Sequence, residues 1–305
     1  MKNYPEDAVE LMDMFSDEEA CADYLAMIRW PHGYHCLRCS EKNALKLGRG
    51  LYRCQSCKYE GSVIVDTLFQ DTHKPLRVWF QAIWYVVSQK NGVSALGLQK
   101  ALGLGSYRTA WVWLHKLRRA MVRPNRDKLG GVVEINETMI GGEQSGKRGR
   151  GADGKTLVLI ATEDTEWGVG RIRLATISDA SGDALGDAIQ KMVAIGSTIQ
   201  TDGWAGYNCL SQLGYTHVPM TNHDVKNDDV VEQTHLVAAL LKRWLIGTLH
   251  GAIDHKNLPY YLDEFTFRFN RRTSNSRGKL FYRLIQQALE IDPVLVTSLA
   301  AIAED

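Results

Sequence analysis

The spacing of apolar residues changes period several times along the chain, and each change marks a different kind of element. From Leu76 the stretch LRVWFQAIWYVVSQ is apolar almost all round, the pattern of a buried helix. GVSALGLQKAL follows, then a break at Gly103–Ser106, then SYRTAWVWLHKLRRAMV. Two helices of that length joined by a glycine-bearing turn match the helix-turn-helix outline. Ser94 and Ser106 stand where N-caps belong. Tyr107, Arg108 and Thr109 open the second helix, where a recognition helix offers side chains to base edges. Trp111, Trp113, Leu114 and Leu117 fall on packing positions. An ordinary helical hairpin has the same periodicity, so groove entry does not follow from it.

Beyond Lys128 the period drops to two. GVVEINETMIGG, KTLVLIATE and GRIRLATISDA read as three successive strands separated by turn signals. DALGDAIQKMV then reads as a helix, STIQTD as a strand, GWAGYNCLSQLG as a helix and YTHVPM as a strand. A long helix follows through VVEQTHLVAALLKRWLIGT. Three antiparallel strands, then alternating helix and strand, then a helix carrying polar residues is the order of an RNase H-like fold. Such folds hold two divalent metals roughly 3.5–4 Å apart, on carboxylates from the first strand, the fourth strand and a late helix.

Composition changes this picture little. With 305 residues, 45% apolar and 23% charged, the chain is expected to form two or three packed domains. No apolar run spans a bilayer and the start, MKNYPEDAVELMDMF, is acidic, which leads to the expectation of a soluble intracellular protein. The net charge of +1 is neutral on the question of nucleic acid, but its distribution is not. Basic residues gather at Lys116–Arg126 (with Arg118 and Arg119), at Lys147, Arg148 and Arg150, and at Arg268–Arg283. Basic blocks alternating with carboxylates fit an enzyme acting on a polyanion, although any single block also reads as a solvated surface.

The cysteines add a metal. Of six, four form the pairs Cys36-Leu-Arg-Cys39 and Cys54-Gln-Ser-Cys57, separated by the fourteen residues 40–53. Each C-x-x-C places two thiolates on one tight knuckle, and two knuckles complete a tetrahedral zinc site. LKLGRGLYRC between them alternates like a hairpin strand entering the second knuckle. A module this small has too little core to fold alone, so structural Zn2+ is expected to supply much of its folding free energy. His32 and His35 are possible substitutes that four thiolates do not need, while Cys21 and Cys209 read as small core residues.

Candidate catalytic groups lie on the fourth strand and the late helix. Asp202 ends STIQTD, where Gly203 turns the chain out of the sheet; an aspartate there is also a common turn former. His235 and Lys242 are seven residues apart, two turns along one helix face. A metal ligand followed by a basic residue suits a site holding both a metal and a phosphate. His235 also reads as an ordinary helix histidine, and Glu232 is a rival ligand near the same face.

Taken together the chain resembles the bacterial insertion-sequence transposases that join an N-terminal zinc ribbon to an RNase H-like domain of the DDE type, in a subgroup whose third ligand is histidine. The stretches that carry the resemblance are WPHGYHCLRC, LYRCQSCKYEGSV, PLRVWFQAIW, VVEINETMIGGEQSGKRGRG, STIQTDGWAGY, HLVAALLKRWLIGTLHG and YLDEFTFRFNRR. The resemblance implies an α/β (α+β) multidomain protein that binds double-stranded DNA, both element inverted repeats and target DNA. It implies strand cleavage and transfer with catalytic Mg2+ or Mn2+, a homodimer or higher oligomer, and a nucleoid-associated cytoplasmic location. It places the family's aspartates on Asn136 and Asp202, its third ligand on His235 and its trailing lysine on Lys242, with Arg268, Arg271 and Arg272 on phosphates. Expected boundaries are a helical segment 1–30, zinc ribbon 31–72, DNA-binding helices 73–128, catalytic domain 129–290 and tail 291–305.

Position 136 departs from that pattern. Where the family's run looks like V-D-E-T, this chain reads Ile135-Asn136-Glu137-Thr138. An amide offers a carbonyl oxygen but no charge, and hard cations favour carboxylates. Three readings remain at this point: a deliberate replacement that traps a DNA complex, a decayed or repurposed transposase that binds DNA without cutting it, or substitution by Glu134, which shares the Asn136 face while Glu137 points the other way.

Overall fold

The computed structural model describes residues 3–123, 125–141, 155–220, 231–249, 255–294 and 299. The chain forms two compact units, residues 1–124 with 274–305, and residues 125–273.

In the first unit, α1 (Ala8–Met14) and α2 (Glu18–Arg29) start on Asp7 and Asp17, whose carboxylates accept first-turn amides. A three-stranded antiparallel sheet follows: β1 (Ala44–Gly48), β2 (Leu51–Cys54) and β3 (Glu60–Ser62). Next come α3 (Leu76–Ser88), α4 (Ala95–Leu102) and α5 (Tyr107–Ala120). Proline precedes α3 and cannot cap it with a side chain; Glu18 does so instead, accepting the Leu76 and Arg77 amides at 2.8 and 2.9 Å. Ser94 and Ser106 cap α4 and α5, and Gly103 ends α4 in the left-handed region, as a turn between these helices requires.

The last helix of this unit, α9 (Arg277–Glu290), lies within the span expected to be catalytic. It joins the first unit because its buried stripe Leu280, Phe281, Leu284, Ile285 and Ala288 meets an aromatic cluster there. Phe15 sits 4.6 Å from Phe80 and 4.9 Å from Tyr24 in edge-to-face contacts, with Phe281 alongside. Periodicity announces a buried face but not what buries it.

The second unit is built on five strands: β4 (Val132–Ile140), β5 (Thr156–Thr165), β6 (Gly168–Ile177), β7 (Thr198–Thr201) and β8 (Thr216–Pro219). They lie in the order β6-β5-β4-β7-β8. The β4–β5 and β5–β6 pairs are antiparallel, and β4–β7 and β7–β8 are parallel. This is the RNase H-like arrangement. Alternation on β4 sorts its side chains between two cores. Val133 and Ile135 pack with Leu185 and Ile189 of α6 (Gly182–Met192). Ile140 packs on the opposite face with Val237 and Leu241 of α7 (Glu232–Leu249) and Leu262 of α8 (Leu258–Phe269). Glu134 and Asn136 therefore face α7.

One expected helix is not there. Residues 203–214 form only a five-residue 3-10 helix, Ala205–Cys209, followed by turns. Gly206 explains the compression: a side chain on it would lie 2.6 Å from the Ala180 carbonyl, so this segment is pressed against its neighbour. The C-terminal end of α8 meanwhile covers the open edge at β6. The Asn270 amide accepts the Ile172 N–H at 2.7 Å and donates to the Ile172 carbonyl at 3.1 Å, standing in for a neighbouring strand.

Candidate catalytic site and DNA-binding elements

The zinc-type site is formed by two turns, one of them at the end of β2. Cys54 ends β2, and Cys36 to Cys57 and Cys39 to Cys54 are 3.7 and 3.5 Å apart between sulfurs. All four sulfurs lie within 4.8 Å of one another. A tetrahedral Zn2+ with Zn–S bonds of about 2.3 Å requires S–S separations of roughly 3.8 Å, so the donor set fits. Although desolvation pushes the Cys36 thiol up, the backbone amides of Arg38 and Cys39 draw it down to about 6; Cys39 is drawn down by the Glu41 amide but pushed up to about 12 by Cys57, desolvation, Cys54 and Cys36 together. Trp30, Tyr34 and Tyr52 pack beside the ribbon with ring centroids 5.0–5.7 Å apart. His32 and His35 are exposed, Cys21 is fully buried, and the Cys209 thiol donates to the Gly182 carbonyl.

In the second unit Asn136 lies on β4 and Asp202 lies just past the end of β7, the strand that pairs with β4. The parallel pairing Val132–Thr198, Val133–Ile199 and Glu134–Gln200 stops two residues short of Asn136 and Asp202, and Asp202 follows the carboxyl end of β7 at Thr201. Beyond the C-terminal ends of parallel strands is where α/β sheets place their ligands. Gly203, with φ +77, turns the chain there, and the Asp202 carboxylate accepts the Trp204 amide at 3.0 Å. From α7, His235 reaches the same place: Asn136 Nδ2 lies 3.0 Å from His235 Nε2, and the Glu137 amide donates to Asn136 Oδ1 at 2.8 Å. With the amide so turned, its N–H rather than its oxygen meets the imidazole. Glu134 is 7% exposed, as is Asn136, and its carboxylate accepts the Thr234 amide at 2.6 Å in the first turn of α7. Glu232 and Lys242 are exposed on α7.

These residues do not fit a pair of Mg2+ ions. Hard divalent cations take carboxylate and carbonyl oxygens, but position 136 is uncharged and donates toward His235, and Glu134 is engaged at a helix terminus. Among the described residues, the four cysteines are the one set of three or more His, Cys, Asp or Glu side chains with ligand atoms within 4.8 Å of one another.

The expected DNA contacts divide. Tyr107 and Arg108 are exposed at the start of α5, Thr109 is half-buried behind them, and Arg119 is exposed. Lys116 is half-buried, and desolvation lowers its pKa. Arg118 departs from the expected surface contact: it is 2% exposed, with its guanidinium 3.5 Å from His115. Lys147, Arg148 and Arg150 lie outside the described residues. The FRFNRR arginines are tied into the fold. Arg268 pairs with the buried Glu264 at 2.7 Å, Arg271 lies over the Phe267 ring at 4.1 Å, and Arg272 lies over Phe269 at 4.2 Å while donating to the Val169 and Gly170 carbonyls. The alternation of aromatic and arginine residues thus has a structural cause in stacking and edge-covering. Sequence reasoning missed the partner of Glu137, whose carboxylate accepts the Tyr207 hydroxyl at 2.5 Å on the far side of the sheet.

Residues 128–270 match the family model of the ISXO2-like transposase domain, and residues 16–60 match that of the transposase zinc-ribbon domain. A curated relative, an uncharacterized protein in transposable element ISH50 of Halobacterium salinarum, is 25% identical over 277 residues, covering 83% of this chain and 91% of the relative. Solved structures with weaker likeness include a chain of the simian T-cell lymphotropic virus intasome in complex with PP2A regulatory subunit B56 gamma (14% identity, 66% of this chain and 74% of that chain, TM-score 0.33). A chain of the pre-cleavage Mos1 transpososome is 11% identical over 72% of this chain and 79% of its own length, with TM-score 0.30.

Proposed function

Because the chain belongs to the insertion-sequence transposases that carry a transposase zinc ribbon and an ISXO2-like transposase domain, we propose that it binds the double-stranded DNA ends of its element while its strand-transfer centre is held inactive by Asn136. The observation that carries this reading is the 3.0 Å contact between Asn136 Nδ2 and His235 Nε2, where the family pattern expects two metal ligands. An amide N–H aimed at the imidazole uses the nitrogen lone pair a metal needs, and it removes the negative charge that would attract the ion. Glu134 does not replace that charge: its carboxylate caps α7, and withdrawing it would leave the Thr234 amide without this acceptor.

The DNA-binding part of the reading rests on α4 and α5, with Tyr107 and Arg108 exposed at the N-terminus of the second helix. Helix N-termini favour phosphate, and the first residues of a recognition helix reach base edges. Arg119 adds charge, and Lys242 on α7 faces solvent two turns from His235. Cys36, Cys39, Cys54 and Cys57 would hold Zn2+, which supplies the folding free energy of the ribbon rather than chemistry. Engaging both ends of an element calls for at least two copies of the chain.

The test is a cleavage and strand-transfer assay on the element's own ends with Mg2+ or Mn2+, comparing this chain with Asn136→Asp. The chain as written binds the ends without cutting them, and the aspartate form cuts. Cleavage by the unchanged chain overturns the role given to Asn136. Failure of the aspartate form favours a DNA-binding protein that works without strand chemistry.

A further inference from the structure

Asp202 owes its position to a loop rather than to a strand, since β7 ends at Thr201. That loop is fastened at three points. Gly203 turns in the left-handed region, the Trp204 indole donates to the Ala180 carbonyl at 3.1 Å, and Tyr207 donates its hydroxyl to Glu137 Oε2 at 2.5 Å. The third is unlike the others because it returns to β4, at the residue next to Asn136. Tyr207 is fully buried, so its ring has one place to sit, and a carboxylate acceptor makes the bond charge-assisted. The Glu137 amide in turn orients the Asn136 side chain at 2.8 Å. Positions 136 and 202 are thus linked from behind the sheet, through a residue whose side chain faces away from both.

We propose that Glu137 and Tyr207 are a positioning pair that fixes the separation and orientation of residues 136 and 202. This deepens the reading of the site given above and rests on it only for its catalytic meaning. The pair touches no reacting atom. Its effect runs through the Asp202–Trp204 turn on one side and the 136 side chain on the other. Supporting groups of this kind change metal affinity by about ten- to a hundredfold when removed, because ligands that are not held must be ordered on binding.

The variant is Tyr207→Phe, which keeps the buried ring and removes only the hydroxyl. In the full chain, amide hydrogen exchange at Trp204, whose N–H is bound by Asp202, is expected to accelerate about tenfold. Exchange at Val193, which closes α6 elsewhere in the same unit, is expected to stay unchanged. In an Asn136→Asp background, Mn2+ affinity is expected to fall at least tenfold on adding Tyr207→Phe, with the thermal midpoint lowered by only a few degrees, as the loss of one charge-assisted hydrogen bond implies. Equal acceleration at Trp204 and Val193 means a general loss of stability and overturns the inference, as does unchanged exchange at Trp204. Retained Mn2+ affinity in the double variant overturns it too. If Asn136→Asp alone binds no Mn2+, the site reading fails, and Trp204 exchange decides the positioning claim by itself.

Discussion

At residue 136 an amide and a carboxylate have nearly the same shape and differ by a full charge, on a side chain that is 7% exposed. The neighbouring carboxylate, Glu134, is held by a backbone amide of α7 at 2.6 Å, so its loss is felt first as lost stability. Glu134→Ala is expected to lower unfolding free energy by about 1–3 kcal/mol, read from urea denaturation, with Glu134→Gln costing less. A second residue-scale effect is set by pH. Desolvation, with the Arg118 charge added, lowers the pKa of buried His115 from 6.5 to about 3. The folded state thus keeps His115 neutral where the unfolded chain takes up a proton. Its stabilising contribution is complete above pH 6.5 and is lost as pH falls from there toward 3, by up to about 1.4 kcal/mol per pH unit. In His115→Phe that part of the acid slope is expected to disappear from urea midpoints measured between pH 7 and pH 4.5; an unchanged slope places the acid sensitivity elsewhere.

Elements were legible in the sequence where one local pattern decides them. The caps at Ser94 and Ser106, the knuckle spacing of the cysteines and the period-two strands around Asn136 are each written in a few adjacent residues. The 203–214 segment reads as helical because Trp204, Tyr207, Leu210 and Leu213 recur every third residue, while Gly206 answers to a carbonyl twenty-six positions back, at Ala180. The Tyr207–Glu137 bond and the stacking of Arg271 and Arg272 were hidden for the same reason, since sequence gives a residue's face but not its partner. Two element-scale outcomes follow. Asn270→Ala removes both hydrogen bonds that cover β6 at Ile172. It is expected to cost about 1–3 kcal/mol and to raise aggregation rates seen by light scattering, because it uncovers a strand edge. Chelating Zn2+ is expected to release one metal ion per four cysteines, counted by a colorimetric assay, and to unfold the ribbon while the second unit retains its thermal transition.

At the scale of the whole molecule, the proposed DNA-binding helices and the proposed strand-transfer centre fall in different units. Binding should depend steeply on salt, with Arg108→Ala reducing the slope of log K against log salt by roughly one if that side chain meets a phosphate. Substitution at 136 should leave that slope alone. Whether one missing charge at position 136 keeps the centre from taking up its metal is decided by titrating Mn2+ into the zinc-loaded chain and into Asn136→Asp under identical conditions. Only the aspartate form is expected to show a binding isotherm attributable to the site, abolished again by Asp202→Asn. Superimposable isotherms for the two proteins would contradict this expectation.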